Sequence, residues 1–284
     1  MFTTSAVSVS AEPVVELFVA QSPGPRERTL LVIHGGPDWD HTYLREPLAQ
    51  LADRCRVVLP DLRGCGRSTR GLTEDQYTPA AATDDLAVML DVLGIDQVDV
   101  LGFSYGGLIA QRLALAVPER VRRLVVASSS VLPVPADAFE GWHERTERLI
   151  AEAAVWSDPI LSGAELIRAA AIASAPANVW RAEVLPDYLD RLAAVRFSAE
   201  WMRPWKAGIL PSPRPDDAAQ RLAALGLPLL LLHGRQDMTF PAALAEETAD
   251  LIPSARAVII DNAGHMAHID QPRAWLDALT GFLN

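Results

Sequence analysis

Short runs of consecutive apolar residues recur along the chain, separated by stretches in which apolar and polar positions mix at helical spacing. Residues 29–33, 56–59, 98–101, 121–127, 227–232 and 255–260 are runs of the first kind. An apolar run without period-two alternation suits a strand covered on both faces, as in a parallel sheet. Helix signals lie between them. Over 79–93, Thr78 offers an N-cap, Pro79 fits the first turn, and Leu86, Met89, Leu90 and Leu93 share one face before Gly94 stops the helix. The alternation predicts a doubly wound α/β domain, with an antiparallel hairpin around 14–19.

The rhythm breaks after Leu132. From there to about Asp216 no strand-like run occurs, and the chain is Ala-rich, punctuated by Pro and patterned for helices over 138–156 and 163–174. This predicts two units: an α/β core of residues 1–131 and 217–284, and an inserted helical cap of residues 132–216. Five of the seven tryptophans fall in the insertion: Trp142, Trp156, Trp180, Trp201 and Trp205. A cap over the carboxyl edge of the sheet, where open α/β sheets place ligands, accounts for that clustering. With Trp39, the residues Trp142, Trp180, Trp201 and Trp205 are the candidate substrate contacts, and five tryptophans beside Lys206 and scattered arginines predict an apolar pocket.

Composition narrows the partners. The chain has 25 Lys and Arg against 36 Asp and Glu, a formal net charge of -11, which repels a phosphate backbone and makes nucleic acid an unsuitable partner. The first 25 residues hold no Lys or Arg and no long apolar run, so neither a signal peptide nor a membrane span is expected and a cytoplasmic protein is. Cys55 and Cys65 flank an expected strand that would hold them too far apart for a disulfide, so both are expected as free thiols, Cys65 in a loop. The remaining partner is a small-molecule substrate.

The sharpest chemical signal is Gly102-Phe103-Ser104-Tyr105-Gly106, set between an expected strand and an expected helix. A nucleophile on so tight a turn needs small neighbours two positions either side, which Gly102 and Gly106 supply. His34-Gly35-Gly36-Pro37 ends an earlier strand, and its glycines leave backbone N–H groups free. Gly36 N–H and Tyr105 N–H are the candidate oxyanion donors, with His34 an orienting, structural residue. Serine is a weak nucleophile and needs a base. His34 and His233 end strands, His41 opens a helix and His143 lies in the cap. His265, in the loop after the last strand, is therefore the candidate base, with His268 expected at the surface. Asp237 follows the strand 227–232 and is the candidate acid. Asp261 and Asp270, close to His265 in sequence, are read as a turn residue and a helix cap. Two histidines with no third ligand nearby give no metal site.

The order Ser104, Asp237, His265 resembles that of the α/β-hydrolase superfamily. So do His34-Gly35-Gly36-Pro37, the loop Asp61-Leu62-Arg63-Gly64-Cys65-Gly66-Arg67-Ser68, and Gly264-His265, over nearly the whole chain. The resemblance implies an eight-stranded, mostly parallel sheet with helices on both faces, an inserted cap and hydrolysis without a cofactor. It also implies a structural Asp61–Ser68 loop anchored by Arg63 and Arg67. The His-Gly-Gly-Pro start looks like proline iminopeptidases, although Asp38 stands where those enzymes usually continue with Gly, and Tyr105 where they carry Trp. Those enzymes hold the substrate ammonium with cap carboxylates, for which Glu140, Glu144, Glu147, Glu152, Glu165, Glu183 and Glu200 are available. The expected function is a serine hydrolase acting through an acyl-enzyme on an ester, lactone, thioester or amide. A proline-iminopeptidase-like aminopeptidase is the alternative; a lyase, cyclase or small-molecule receptor on the same fold is the further one.

Overall fold

The computed structural model describes residues 2–284. Eight strands form one sheet: β1 (Thr3–Ala11), β2 (Val14–Gln21), β3 (Thr29–Ile33), β4 (Arg56–Pro60), β5 (Val98–Phe103), β6 (Val121–Ala127), β7 (Leu229–Gly234) and β8 (Ala255–Ile260). Their order is β1-β2-β4-β3-β5-β6-β7-β8. β1 pairs with β2, and β2 with β4, in antiparallel fashion; every later pairing is parallel.

The all-apolar strands are buried on both faces because each feeds two cores. Leu31 and Ile33 of β3, with Val98 and Val100 of β5, pack into a cluster that includes Leu86, Met89 and Leu113. Leu30 and Val32 of β3, with Leu101 and Phe103 of β5, face a second cluster that includes Trp275 and Leu279. Helix Pro79–Val92 is capped as its residues dictate, Thr78 Oγ1 accepting the Ala81 N–H at 3.1 Å.

The expected elements shift at several of their ends. β7 starts at Leu229 rather than 227, because Pro228 has no N–H to give a ladder and contributes only its carbonyl, to Leu124 N–H. The N-terminal hairpin is longer than expected: its first strand reads TTSAVSVSA, and only Val7 and Val9 of it are buried. The helix expected over 138–156 starts at His143, since Gly141 at φ +76° breaks the approach.

Between β6 and β7 the chain has no strand and carries helices joined by irregular segments, including His143–Trp156, Gly163–Ala173, Leu185–Ala194 and Met202–Lys206. Leu166, Ile167, Tyr188, Leu192 and Met202 of this insertion join the second cluster and so fix it to the sheet. Gly36 after β3 and Tyr105 after β5 line one cavity with residues of this insertion. Among the described residues no helix is long and apolar enough to cross a membrane. Cys55 and Cys65 are unpaired and buried. Burial pushes the Cys55 thiol up to about 11 and that of Cys65 well above the usual value, so neither is poised as a thiolate.

Candidate active site

Ser104 sits at φ 53°, ψ -123° between β5 and the helix Tyr105–Ala116. A side chain rarely tolerates a positive φ, and the neighbours hold it there. Ser104 N–H donates to Ala127 O at 2.9 Å, and Ser104 O accepts Gly107 N–H at 2.8 Å. The glycines are required by contact: a Cβ on Gly102 would lie 2.3 Å from Gly106 O, and one on Gly106 would lie 2.2 Å from Ile33 O.

Three side chains from three loops meet at this turn. His265 Nε2 is 3.0 Å from Ser104 Oγ, and His265 Nδ1 is 3.0 Å from Asp237 Oδ2. The carboxylate fixes the tautomer: Nδ1–H donates to Asp237, which leaves Nε2 as acceptor for the serine hydroxyl. Asp237 Oδ1 accepts the N–H groups of Thr239 at 2.7 Å and Phe240 at 2.9 Å. Burial pushes the Asp237 carboxyl up, but the charge of His265 and the hydrogen bonds of His233 and His265 outweigh it and hold the group well below the usual carboxylate range. His233 is part of this arrangement, although its strand-end position suggested otherwise. Its Nε2 lies 2.8 Å from Phe240 O and 3.1 Å from Asp237 Oδ2. The spacing His233-x-x-x-Asp237 was the only signal available for that contact.

The loop after β3 supplies the facing wall. His34 Nε2 accepts Leu62 N–H at 3.1 Å, so its Nδ1–H donates to Gly35 O at 3.0 Å, and the ring ties two loops together. Gly36 turns at φ +55°. Among the described residues neither Gly36 N–H nor Tyr105 N–H donates to a protein acceptor. Asp38 takes three donors from the insertion: Ser198 Oγ at 2.9 Å, Trp201 N–H at 3.0 Å and Met202 N–H at 2.9 Å.

A cavity of about 490 Å³ opens on this wall. Gly36, Trp39 and Tyr105 line it from the core, and Trp156, Ile167, Ala170, Trp201, Met202 and Trp205 from the insertion. Its lining contains no Lys, Arg or His; the two carboxylates are Asp38 and Glu152.

Residues 28–272 match the alpha/beta hydrolase fold family. The chain belongs to that family. This hydrolase is 34% identical over 269 residues to the 2-hydroxymuconate semialdehyde hydrolase of Pseudomonas sp. (strain CF600), covering 89% of this chain and 86% of the relative. It is 27% identical over 272 residues to the proline iminopeptidase of Levilactobacillus brevis, covering 89% of this chain and 87% of that one. An alpha/beta fold family hydrolase from Bacillus anthracis strain Sterne superimposes with a TM-score of 0.76 at 18% identity, covering 100% of this chain and 99% of the other, and so shares its fold.

Several expected placements differ in the folded hydrolase. Trp39, Trp201 and Trp205 line the cavity; Trp142 and Trp180 do not. Trp142 packs near Phe139, with ring centroids 6.2 Å apart, and Trp180 lies under the Arg148 guanidinium at 4.8 Å. Trp156 takes a place at the wall instead, its indole N–H donating to Glu152 at 3.1 Å. The i,i+4 spacing of that pair was legible, but the inward face of its helix was not. His268 is buried, not superficial, among the rings of Tyr43, Phe103 and Trp275. Asp270 is no helix cap: it is buried and accepts three backbone N–H groups from two loops. Arg63 does anchor its loop, through Asp85 at 2.6 Å and Gln76 O at 2.8 Å. The Arg67 guanidinium instead lies over the Phe18 ring at 5.0 Å.

Proposed function

We propose that this hydrolase is a serine hydrolase that cleaves a neutral, largely apolar ester, lactone, thioester or amide through an acyl-enzyme on Ser104. The observation that carries the reading is the unbroken chain Ser104 Oγ, His265 Nε2, His265 Nδ1, Asp237 Oδ2, with both links at 3.0 Å, beside two unengaged N–H groups and an apolar cavity.

The steps follow from the groups present. Ser104 Oγ attacks the substrate carbonyl carbon while its proton passes to His265 Nε2, and the carbonyl electron pair moves onto oxygen. Gly36 N–H and Tyr105 N–H, fixed beforehand, receive that oxyanion. The intermediate collapses, the leaving group departs with the proton from His265, and the acyl group stays on Ser104. Water then repeats the sequence, giving the carboxylic acid and free serine. Asp237 stays ionised and stabilises the imidazolium at each stage. Residues 132–216 serve as the cap that walls the cavity.

The charge of the cavity supports a neutral substrate. A substrate carboxylate inside it would meet Asp38 and Glu152 with no lining cation to offset them. The 2-hydroxymuconate semialdehyde hydrolase named above acts on an anionic compound, so this charge pattern favours a different substrate here. A second reading has one observation in its favour: Glu152, held only by the Trp156 indole among the described residues, is available to an ammonium group. That suits an aminoacyl substrate of the proline iminopeptidase type.

A substrate panel tests both. Neutral p-nitrophenyl acyl esters are expected to exceed 2-hydroxymuconate semialdehyde in kcat/KM, and a fluorophosphonate is expected to label Ser104. Preference for the semialdehyde would overturn the neutral-substrate reading. Preference for a prolyl arylamide that is lost in Glu152→Gln would establish the second reading in its place.

A further inference from the structure

We infer that Asp270 is a positioning residue for His265, and that through it the inserted segment 178–181 forms part of the support of the base. The inference rests on the assignment of His265 as that base.

The loop that presents His265 makes its bonds to other segments: Ala263 N–H donates to Gln236 Oε1 at 3.0 Å, and Ala263 O accepts Gln236 N–H at 2.9 Å. It contains Gly264, and Asn262 at φ +53°. What holds it comes from elsewhere. On one side of His265, Gly264 N–H donates to Asp270 Oδ2 at 2.8 Å; on the other, Met266 N–H donates to Asn178 O at 2.8 Å. Asp270 also accepts Trp180 N–H on Oδ2 and Arg181 N–H on Oδ1, both at 2.9 Å. One carboxylate thus joins the loop of the base to the insertion. The two backbones touch: a Cβ on Gly264 would lie 2.9 Å from Asn178 O and 3.1 Å from Trp180 N.

A carboxylate is a costly way to tie two loops if tying is all it does. Asp270 is fully buried, and desolvation raises its pKa even against three N–H donors. No neutral side chain of that size accepts three converging N–H bonds, because an amide turns an NH2 group toward one of the donors. The segment it grips is also continuous with the substrate wall. Ile167, Ala170, Ala171 and Ser174 line the cavity, and the chain runs from them directly to Asn178, Trp180 and Arg181. The wall that feels the substrate and the loop that carries the base therefore share one anchor.

The test uses the full chain and the best neutral ester. In Asp270→Asn, the amide turns its NH2 group toward at least one of the three donors and loosens the loop. A displacement of about 1 Å at the base lowers kcat about 10- to 100-fold, with KM changed by less than about threefold. The downfield proton resonance of His265 Nδ1–H is expected to broaden or vanish while the thermal midpoint shows a folded protein. A paired comparison covers the case in which that variant does not fold. Arg181→Pro deletes the N–H that reaches Oδ1 and is expected to lower kcat several-fold. Arg181→Ala keeps that N–H and loses only the guanidinium bond to Asp270 O at 2.7 Å, so it is expected to lower kcat less than Arg181→Pro does. Wild-type kcat and an intact downfield resonance in Asp270→Asn would overturn the inference. So would a rise in KM with kcat unchanged, or, in the paired test, Arg181→Pro behaving as Arg181→Ala. Full activity in His265→Ala would instead remove the assignment of the base itself, an outcome separable from all of these.

Discussion

Ser104 carries its side chain at a backbone angle few residues tolerate, and the cost is justified by where it aims the hydroxyl. Ser104→Ala is expected to keep the fold and lower turnover by at least about 10³-fold, measured with the best ester. Chain order and flanking glycines single out Ser104, Asp237 and His265 in the sequence, and the fold brings their side chains together in links of 3.0 Å. His268 was not legible: three positions after His265 it reads as a loop residue, and only packing against Tyr43, Phe103 and Trp275 buries it. Burial pushes its imidazole down to about 3 from an ordinary 6.5, with the charge of Arg191 adding to the effect. Between those values the unfolded chain binds a proton at residue 268 that the folded chain refuses, so stability falls as pH drops below 6.5. His268→Leu is expected to flatten that acid-side decline by about 1 kcal/mol per pH unit, read from denaturant unfolding between pH 6 and pH 4. Asp237 contributes with the same sign of shift: its depressed value adds stability at neutral pH that is lost only in stronger acid, below the usual carboxylate range.

At the level of elements, the central strands were readable because their two-sided burial leaves an unmistakable apolar run. The first strand of the hairpin was not, since an edge strand that buries only Val7 and Val9 carries little pattern. The insertion was readable as helical, but the inward face of each helix was not, so nothing in the pattern placed Trp156 at the cavity or Trp142 and Trp180 outside its lining. Loop anchors depend on partners far away in the chain. Arg63 meets Asp85 through two bonds of 2.6 Å, both side chains being nearly excluded from solvent. Removing one member leaves the other charge buried alone, so Asp85→Ala is expected to destabilise the fold by about 3–5 kcal/mol, read as a shift in the urea midpoint. Arg63→Met paired with Asp85→Leu should recover much of that loss, because the pair's own desolvation cost disappears with it.

Over the whole molecule, a net charge of -11 and a cavity without a cation point the same way, toward substrates that bring no negative charge to the site. Within neutral esters, apolar burial sets the order. Each methylene is worth about 0.8 kcal/mol, so kcat/KM is expected to rise by one to two orders of magnitude over about two or three added methylenes before the cavity is full. A flat series from acetyl to hexanoyl would remove the apolar cavity from the account. The central claim, that Ser104 becomes acylated, is tested most directly by mass spectrometry of the intact chain quenched in acid during turnover of p-nitrophenyl hexanoate. The expected result is a hexanoyl adduct that maps to the peptide holding Ser104, forms and decays fast enough to carry turnover, and is missing from Ser104→Ala. Undiminished turnover with no adduct, or with an adduct on another residue while Ser104→Ala stays active, would contradict it.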